Sequence, residues 1–161
     1  MIRIDVTDSA VQATLRMLQA RLQNPQPALD AVGQQLTEGV RQHIKDGQDW
    51  QGQPFAPNSP LTIARKGSSK PLIDSGNMAA LRLYHRATAT EVVVGNSAIQ
   101  AAVLQFGAKQ GAFGRSKRGG PLPWGDIPAR PYLPITPGGD LAPSARDVVV
   151  QTLMDYLADA A

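Results

Sequence analysis

The distribution of glycine and proline is the strongest constraint on the fold of this chain. Its 161 residues include 15 glycines and 13 prolines, most of them in the middle and late parts of the sequence. These residues interrupt helices and strands, and the segments at about 46–71 and 107–129 have no sustained periodicity. The length suits one domain. The sequence therefore predicts a single domain over residues 1–161 with two long extended loops.

Apolar residues recur at helical spacing in three segments outside those loops. The predicted helices are one from Asp8 or Ser9 to the prolines at 25 and 27, one over about 28–45, and one from about 141 or 143 to 160. Gly47 follows the second helix at the position of a C-terminal cap. Both of the first two helices have an apolar stripe, so we expect both to pack on a sheet.

Strand patterns are shorter than the helical ones. Residues 1–7 alternate apolar and polar residues, which predicts an edge strand, and residues 77–87 and 91–96 predict a hairpin. The segment 97–106 is apolar on nearly all faces, which predicts a short sandwiched helix. Prolines within 130–135 cannot donate ladder hydrogen bonds, so this extended segment is predicted at a sheet edge. The predicted class is α+β, with helices packed on a small, mainly antiparallel sheet.

Four residues of the first loop and the turn after it have structural interpretations. Trp50 and Phe55 are isolated bulky residues, and we expect them to pin the first loop to the domain. In the Leu-Ile-Asp-Ser-Gly segment that follows, Asp74 can bond backbone amides two residues on, and Gly76 can adopt positive φ. Trp50, Asp74 and Gly76 are therefore predicted to be structural turn residues.

Positive charge is concentrated in the loops. The net charge of +3 is modest, but four basic residues of the second loop precede its carboxylate at Asp126: Lys109, Arg115, Lys117 and Arg118. Such a segment can bind the phosphates of nucleic acid without reading sequence. It can equally face an acidic neighbouring subunit, or be a solvated loop with no partner.

Trp124 and Arg130 are the other candidate contact residues. Trp124 lies between Pro123 and Gly125 in the second loop and is interpreted as a contact with a partner subunit, because aromatic residues are enriched at interfaces. Arg130 lies where that loop ends, and its guanidinium can bind carboxylates or carbonyls in a bidentate manner. A plain surface arginine is the alternative.

No catalytic or metal-binding pattern is present in the sequence. There is no cysteine, which excludes disulfides and thiol chemistry. His43 and His85 lack metal-ligand spacing, and turn capping accounts for Asp46, Asp49 and Asp74. We therefore expect no enzyme activity and no cofactor. No apolar run is long enough for a signal peptide or a membrane span.

Four separated signatures occur in a fixed order along the chain. They are Asp49-Trp50-Gln51-Gly52, Leu72-Ile73-Asp74-Ser75-Gly76, Val92-Val93-Val94-Gly95-Asn96, and Gln105-Phe106-Gly107 followed by Ile127-Pro128-Ala129-Arg130-Pro131-Tyr132-Leu133. In this order the chain resembles the phage virion morphogenesis family over about residues 30–160. In the pattern of that family, an arginine stands between the long loop and the following strand, at the position of Arg130.

The resemblance implies a structural virion protein that is made in the host cytoplasm and completes the phage tail or neck. It also implies a ring-shaped homo-oligomer that helps to join head to tail, contacts neighbouring neck and tail proteins, and can face phage DNA in the channel, with no membrane contact. We expect the two loops to be mobile in the free subunit and to be cleaved by protease within residues 60–70 and 108–125.

Two other function classes are weaker. A nucleic-acid-binding module is supported by the basic loop alone, since no helix-turn-helix, zinc-finger or aromatic RNA-binding signature is present. The hypothesis of an enzyme such as a cell-wall hydrolase is not supported, because no base, nucleophile and orienting group can be assembled from the sequence.

Overall fold

The computed structural model describes residues 8–74 and 76–159. In chain order the elements are α1 (Ser9–Gln23), α2 (Gln26–Asp46), α3 (Pro60–Lys66), a π-helical turn (Asn77–Leu81), β1 (Leu83–Ala87), β2 (Val92–Asn96), α4 (Ala101–Phe106) and α5 (Pro143–Ala158). β1 and β2 form a two-stranded antiparallel sheet. The α+β class is confirmed, while the strand predicted for residues 1–7 lies outside the described residues.

Helix α2 is the centre of the fold and contacts both the hairpin and α5. A buried apolar residue recurs every four positions along it: Ala28, Val32, Leu36, Val40 and Ile44. This spacing gives the helix one continuous apolar face. Gly47 ends α2 with φ at 77°, and its N–H donates to the carbonyl of His43 at 2.9 Å. The predicted second helix and its glycine cap are confirmed.

The hairpin packs closely on α2 because α2 carries a glycine at the contact. β1 and β2 pair in register from Leu83 opposite Asn96 to Ala87 opposite Val92, as the predicted hairpin requires. A Cβ atom at Gly33 would lie 2.7 Å from the His85 ring and 2.9 Å from Val92 Cγ2. Any larger residue at position 33 would therefore push the sheet away from the helix.

Helix α1 forms as predicted but does not pack on the sheet. Asp8 caps it by accepting a hydrogen bond from the N–H of Ala10 at 2.9 Å. No residue of α1 is buried, and Val11, Leu15 and Leu22 are 50%, 59% and 68% exposed. The expectation that the first two helices both pack on a sheet is right for α2 and wrong for α1. Among the described elements the hairpin packs mainly on α2, and its outer face, with Tyr84 and Val93 46% and 45% exposed, is not covered by α1.

Three segments differ from their predicted secondary structure. The first loop contains the helix α3, which Ser59 caps by accepting from the N–H of Thr62. Residues 77–81 form a π-helical turn rather than the start of a strand, since β2 is only five residues long and offers them no partner. Helix α4 starts at Ala101 rather than at 97, and it is not sandwiched, because Phe106 is 70% exposed.

The segment 130–135 is buried in the core instead of forming an edge strand. Tyr132 is fully buried, and its N–H and that of Leu133 both donate to the side-chain oxygen of Gln105 at 3.0 Å. The N–H of Arg130 donates to the carbonyl of Leu104 at 2.7 Å. A glutamine side chain and α4 thus replace the strand partner, which is why the prediction of an edge strand is wrong.

Candidate interaction surface

The second long loop is folded back on itself as an irregular hairpin, which we call the arm (residues 107–129). Ala108 and Ile127 exchange two backbone hydrogen bonds of 2.9 and 2.7 Å at its base. Further out, the N–H of Phe113 donates to the carbonyl of Leu122 at 2.7 Å, and the N–H of Ser116 to that of Gly120 at 2.7 Å. The sequence predicts a long extended loop without a periodic pattern here, and the structure adds the backbone pairing within it. The frequent glycines interrupt any alternation of apolar and polar residues, so the sequence pattern does not indicate this pairing.

Gly107 makes the close crossing at the base of the arm possible. Its φ is 74°, and a Cβ atom there would lie 2.8 Å from the carbonyl oxygen of Ile127 and 2.9 Å from the backbone nitrogen of Ala129. Both neighbours are backbone atoms that cannot move aside without breaking the arm's first hydrogen bonds. A side chain at position 107 is therefore incompatible with this base.

Arg130 connects the end of the arm to the first loop. The side chain is 6% exposed, and it donates through Nε to the carbonyl of Ala56 at 2.7 Å and through Nη2 to that of Pro57 at 2.8 Å. Burial lowers the pKa of the Arg130 guanidinium from its usual value. The structure places Arg130 in the interior, bound to carbonyl oxygens of its own chain.

Trp50 holds the other side of the same junction. The indole is 6% exposed and donates to the carbonyl of Tyr132 at 3.1 Å, while Ser144 Oγ donates to the carbonyl of Trp50 at 2.6 Å. A Cβ atom at Gly39 would lie 2.5 Å from the indole. These contacts join the end of α2, the core segment and the start of α5, so the arm projects from a rigid part of the fold.

Gln105 is a residue at the base of the arm that our sequence analysis missed. It is 4% exposed, and its amide oxygen accepts the two N–H groups of residues 132 and 133. Buried polar side chains are normally hydrogen-bonded, and removing one leaves its partners unsatisfied. The signal available in the sequence was a single amide within the otherwise apolar run Val103-Leu104-Gln105-Phe106.

The predicted basic cluster divides into a paired and a free part. Lys109 forms an exposed ion pair with Asp126 at 2.8 Å, and that hydrogen bond lowers the pKa of Asp126 and raises the pKa of Lys109. Arg115 donates to the carbonyl of Gly119 at 3.1 Å. Lys117 and Arg118 are exposed, with no side-chain hydrogen bond or ion pair among residues 8–74 and 76–159. The tip of the arm therefore carries the uncompensated charge.

Aromatic residues are exposed on and beside the arm. Trp124 is 75% exposed, Phe113 is 59% exposed, and Phe106 lies next to the arm's base. The residues at that base also line an open groove of about 690 Å³. Exposed aromatic side chains near cations are typical of surfaces that contact a partner protein.

The predicted turn residues Asp74 and Gly76 lie apart from the arm. Gly76 has φ at 78°, the left-handed conformation that glycine adopts without strain. Asp74 is exposed, and its carboxylate accepts no hydrogen bond from residues 8–74 or 76–159. It lines a small groove together with Arg65 and Lys66 of α3. No role in the arm's geometry follows for either residue.

The two histidines occupy structural positions. The ring centres of His43 and Trp50 lie 4.5 Å apart with the planes tilted by 46°, and burial lowers the pKa of His43. His85 lies 3.2 Å from the carboxylate of Asp30. Within the part of the chain that the structure describes, no group of three or more histidines and carboxylates is placed to hold a metal ion. None of the described helices is both long and apolar enough to cross a bilayer.

The arm thus combines a hydrogen-bonded base beside the buried Arg130 and Gln105 with exposed aromatic and cationic side chains. The sequence profile of the phage virion morphogenesis family matches residues 6–158, and the chain belongs to that family. No curated protein and no solved structure matches the chain significantly. The family resemblance predicted from the sequence is confirmed, and it indicates a structural role in the phage virion.

Proposed function

We propose that this chain is a structural subunit that completes the phage tail or neck and helps to join head to tail by assembling into a ring. Membership of the virion morphogenesis family supports the virion role. The observation that carries the assembly role is the arm, whose base is fixed by Arg130 and Gln105 and whose tip, in the described residues, forms its hydrogen bonds only within the arm.

A rigid base lowers the entropic cost of using the arm as a joint. When binding orders a flexible loop, the lost conformational entropy of that loop lowers the affinity. A hairpin that is already formed in the free subunit loses this entropy on folding, so its binding is not weakened in this way. Trp124 and Phe113 then provide apolar contact area at the joint. A closed ring needs one surface of each subunit to fit a different surface of the next.

The proposal is tested by negative-stain electron microscopy of lysates from a phage that lacks this gene. Separate full heads and unjoined tails are expected. Complementation with the wild-type gene restores virions, and complementation with Trp124→Ala restores few. Ile99→Ala is the matched control, because Ile99 is 99% exposed and lies outside the arm. Intact virions from the deletion phage would overturn the proposal.

A nucleic-acid contact is the second candidate, and the free cations Lys117 and Arg118 favour it. Contacts to phosphates release counterions, so binding of this kind falls steeply with salt. Salt-sensitive binding of duplex DNA that is lost in the Lys117→Gln/Arg118→Gln double variant would support this function. Equal binding by the variant and the wild type would remove it.

A further inference from the structure

An acidic groove lies on the surface between α2 and α5. It has a volume of about 660 Å³, and α5 and the residue that caps its C-terminal end line it with Asp147, Gln151, Asp155 and Asp159. These four residues recur every four positions, so they form one stripe on the helix. From Asp147 to Asp159 the stripe rises over twelve residue steps, or about 18 Å at the usual helical rise.

The carboxylates of this stripe have no cationic partner among the residues that the structure describes. In residues 8–74 and 76–159 none of the three aspartates forms an ion pair, and Asp155 only accepts from the amide of Gln151 at 2.7 Å. Arg21 of α1 donates to the backbone carbonyls of Tyr156 and Asp159, rather than to a carboxylate, and lies 4.9 Å from the centre of the Tyr156 ring. The groove is therefore acidic and has an aromatic wall.

The groove and the arm are separate surfaces of one molecule. Helix α5 begins beside Trp50, where Ser144 bonds it, and the arm's base is at the same junction. The α2 residues that line the groove, Ala31 and Gln35, lie in the N-terminal half of that helix, away from this junction. A contact between arm tip and groove therefore joins two copies by different surfaces, which is the head-to-tail arrangement that a ring requires.

We infer that the groove between α2 and α5 receives the basic arm tip of a second copy of this chain. The charges are complementary: Lys117 and Arg118 at the tip and the three carboxylates that line the groove have no ion pair among the described residues. Complementary charge of this kind steers association and fixes register more than it adds affinity. This inference rests on the proposed ring assembly and identifies its joint.

Site-directed cross-linking tests the contact directly, and the chain suits it because it has no native cysteine. Ser116→Cys places a thiol on the arm tip and Gln151→Cys places one in the groove, each in a separate copy with a different tag. Mixed under mild oxidation at low salt, the two should form a mixed disulfide at least about tenfold faster than Ser116→Cys forms one with Ala89→Cys, since charge complementarity favours the first pair. Ala89 is exposed on the hairpin turn.

Charge reversal tests the chemistry of the same contact. Lys117→Glu/Arg118→Glu in the arm copy, or Asp155→Lys/Asp159→Lys in the groove copy, should each slow the mixed disulfide about tenfold, and combining them should restore it to within about twofold. Arg82→Glu/Arg86→Glu is the control for net charge, because both residues are exposed and lie on or beside β1.

The outcomes separate this inference from the proposed function. Equal cross-linking to groove and control cysteines, or no recovery in the combined charge reversal, overturns the arm-in-groove contact. If the deletion phage still shows unjoined heads and tails, the assembly role survives and uses another joint. If the deletion phage is intact while the cross-link forms, the chain self-associates but the role in joining is wrong.

Discussion

Helices α1 and α2 have the same kind of sequence pattern and very different environments. Both place apolar residues at helical spacing, and both have the predicted caps at one end. Yet α2 buries five apolar residues and α1 buries none. The difference shows that a periodic stripe is sufficient to predict a helix but does not determine whether the stripe is covered. That depends on how much apolar surface the rest of the fold provides.

The largest expected loss of stability follows from removing a buried leucine of α2, and the same substitution in α1 is its comparison. Leu36→Ala in α2 should lower the free energy of unfolding by about 2–4 kcal/mol, because it leaves a cavity at a residue that is 5% exposed. Leu22→Ala in α1 removes the same atoms at a residue that is 68% exposed, and should change it by less than about 0.5 kcal/mol. Urea denaturation measures both. Similar losses would mean that α1 is packed in solution.

A glycine in α2 offers a sharper test of its packing. Replacing an exposed helical glycine by alanine usually stabilises a protein by up to about 1 kcal/mol. Gly39→Ala should instead destabilise by about 1–3 kcal/mol, because the new Cβ atom would lie 2.5 Å from the Trp50 ring. Thermal unfolding followed by near-ultraviolet circular dichroism reports both stability and the tryptophan environment. A rise in melting temperature would contradict this packing.

Loss of the α1 cap should destabilise the first turns of α1 and leave the stability of the core unchanged. Asp8→Ala removes the carboxylate that accepts from the N–H of Ala10, which costs a helix about 0.5–1 kcal/mol. Since α1 does not contribute to the core, we expect faster amide exchange in residues 9–15 and an unchanged urea midpoint. Asp8→Asn, which keeps a capping oxygen, is the control. A shifted global midpoint would show that α1 and the core unfold together.

The smallest expected effect is the pH dependence due to His43. Burial lowers its pKa below the usual 6.5, so the unfolded chain takes up a proton at a higher pH than the folded one. The stability from neutral His43 is present above about pH 6.5 and is lost as pH falls through the lower folded value. His43→Gln should make the urea midpoint depend less on pH between about pH 7 and pH 5. His85→Gln is the comparison, and an unchanged slope in His43→Gln would contradict the assignment.

Much of the fold could be predicted because the relevant signals are local. The first, second and last helices lie close to their predicted positions, and the hairpin pairs as predicted. The candidate site could be predicted only in part. Its cationic residues and Trp124 were found from composition, but Gln105 was missed, and the pairing of Lys109 with Asp126 requires the arm to fold back. Protease sensitivity within residues 60–70 and 108–125 stays a prediction from the sequence, and the backbone pairing of the arm favours resistance within 108–125.

Helix spacing, caps and turn formers act over a few residues, and for these the chain's own local chemistry was sufficient. Three features needed contacts between residues far apart in the sequence: the exposure of α1, the burial of residues 130–135, and the pairing within the arm. In each case a backbone or side-chain group can contact either water or a partner that lies far away in the sequence. Tyr132 is buried because Gln105 and Trp50 satisfy its backbone, whereas the apolar stripe of α1 stays exposed and α2 contacts the sheet. The local sequence pattern predicts neither environment, because the contacting partner comes from another segment of the chain.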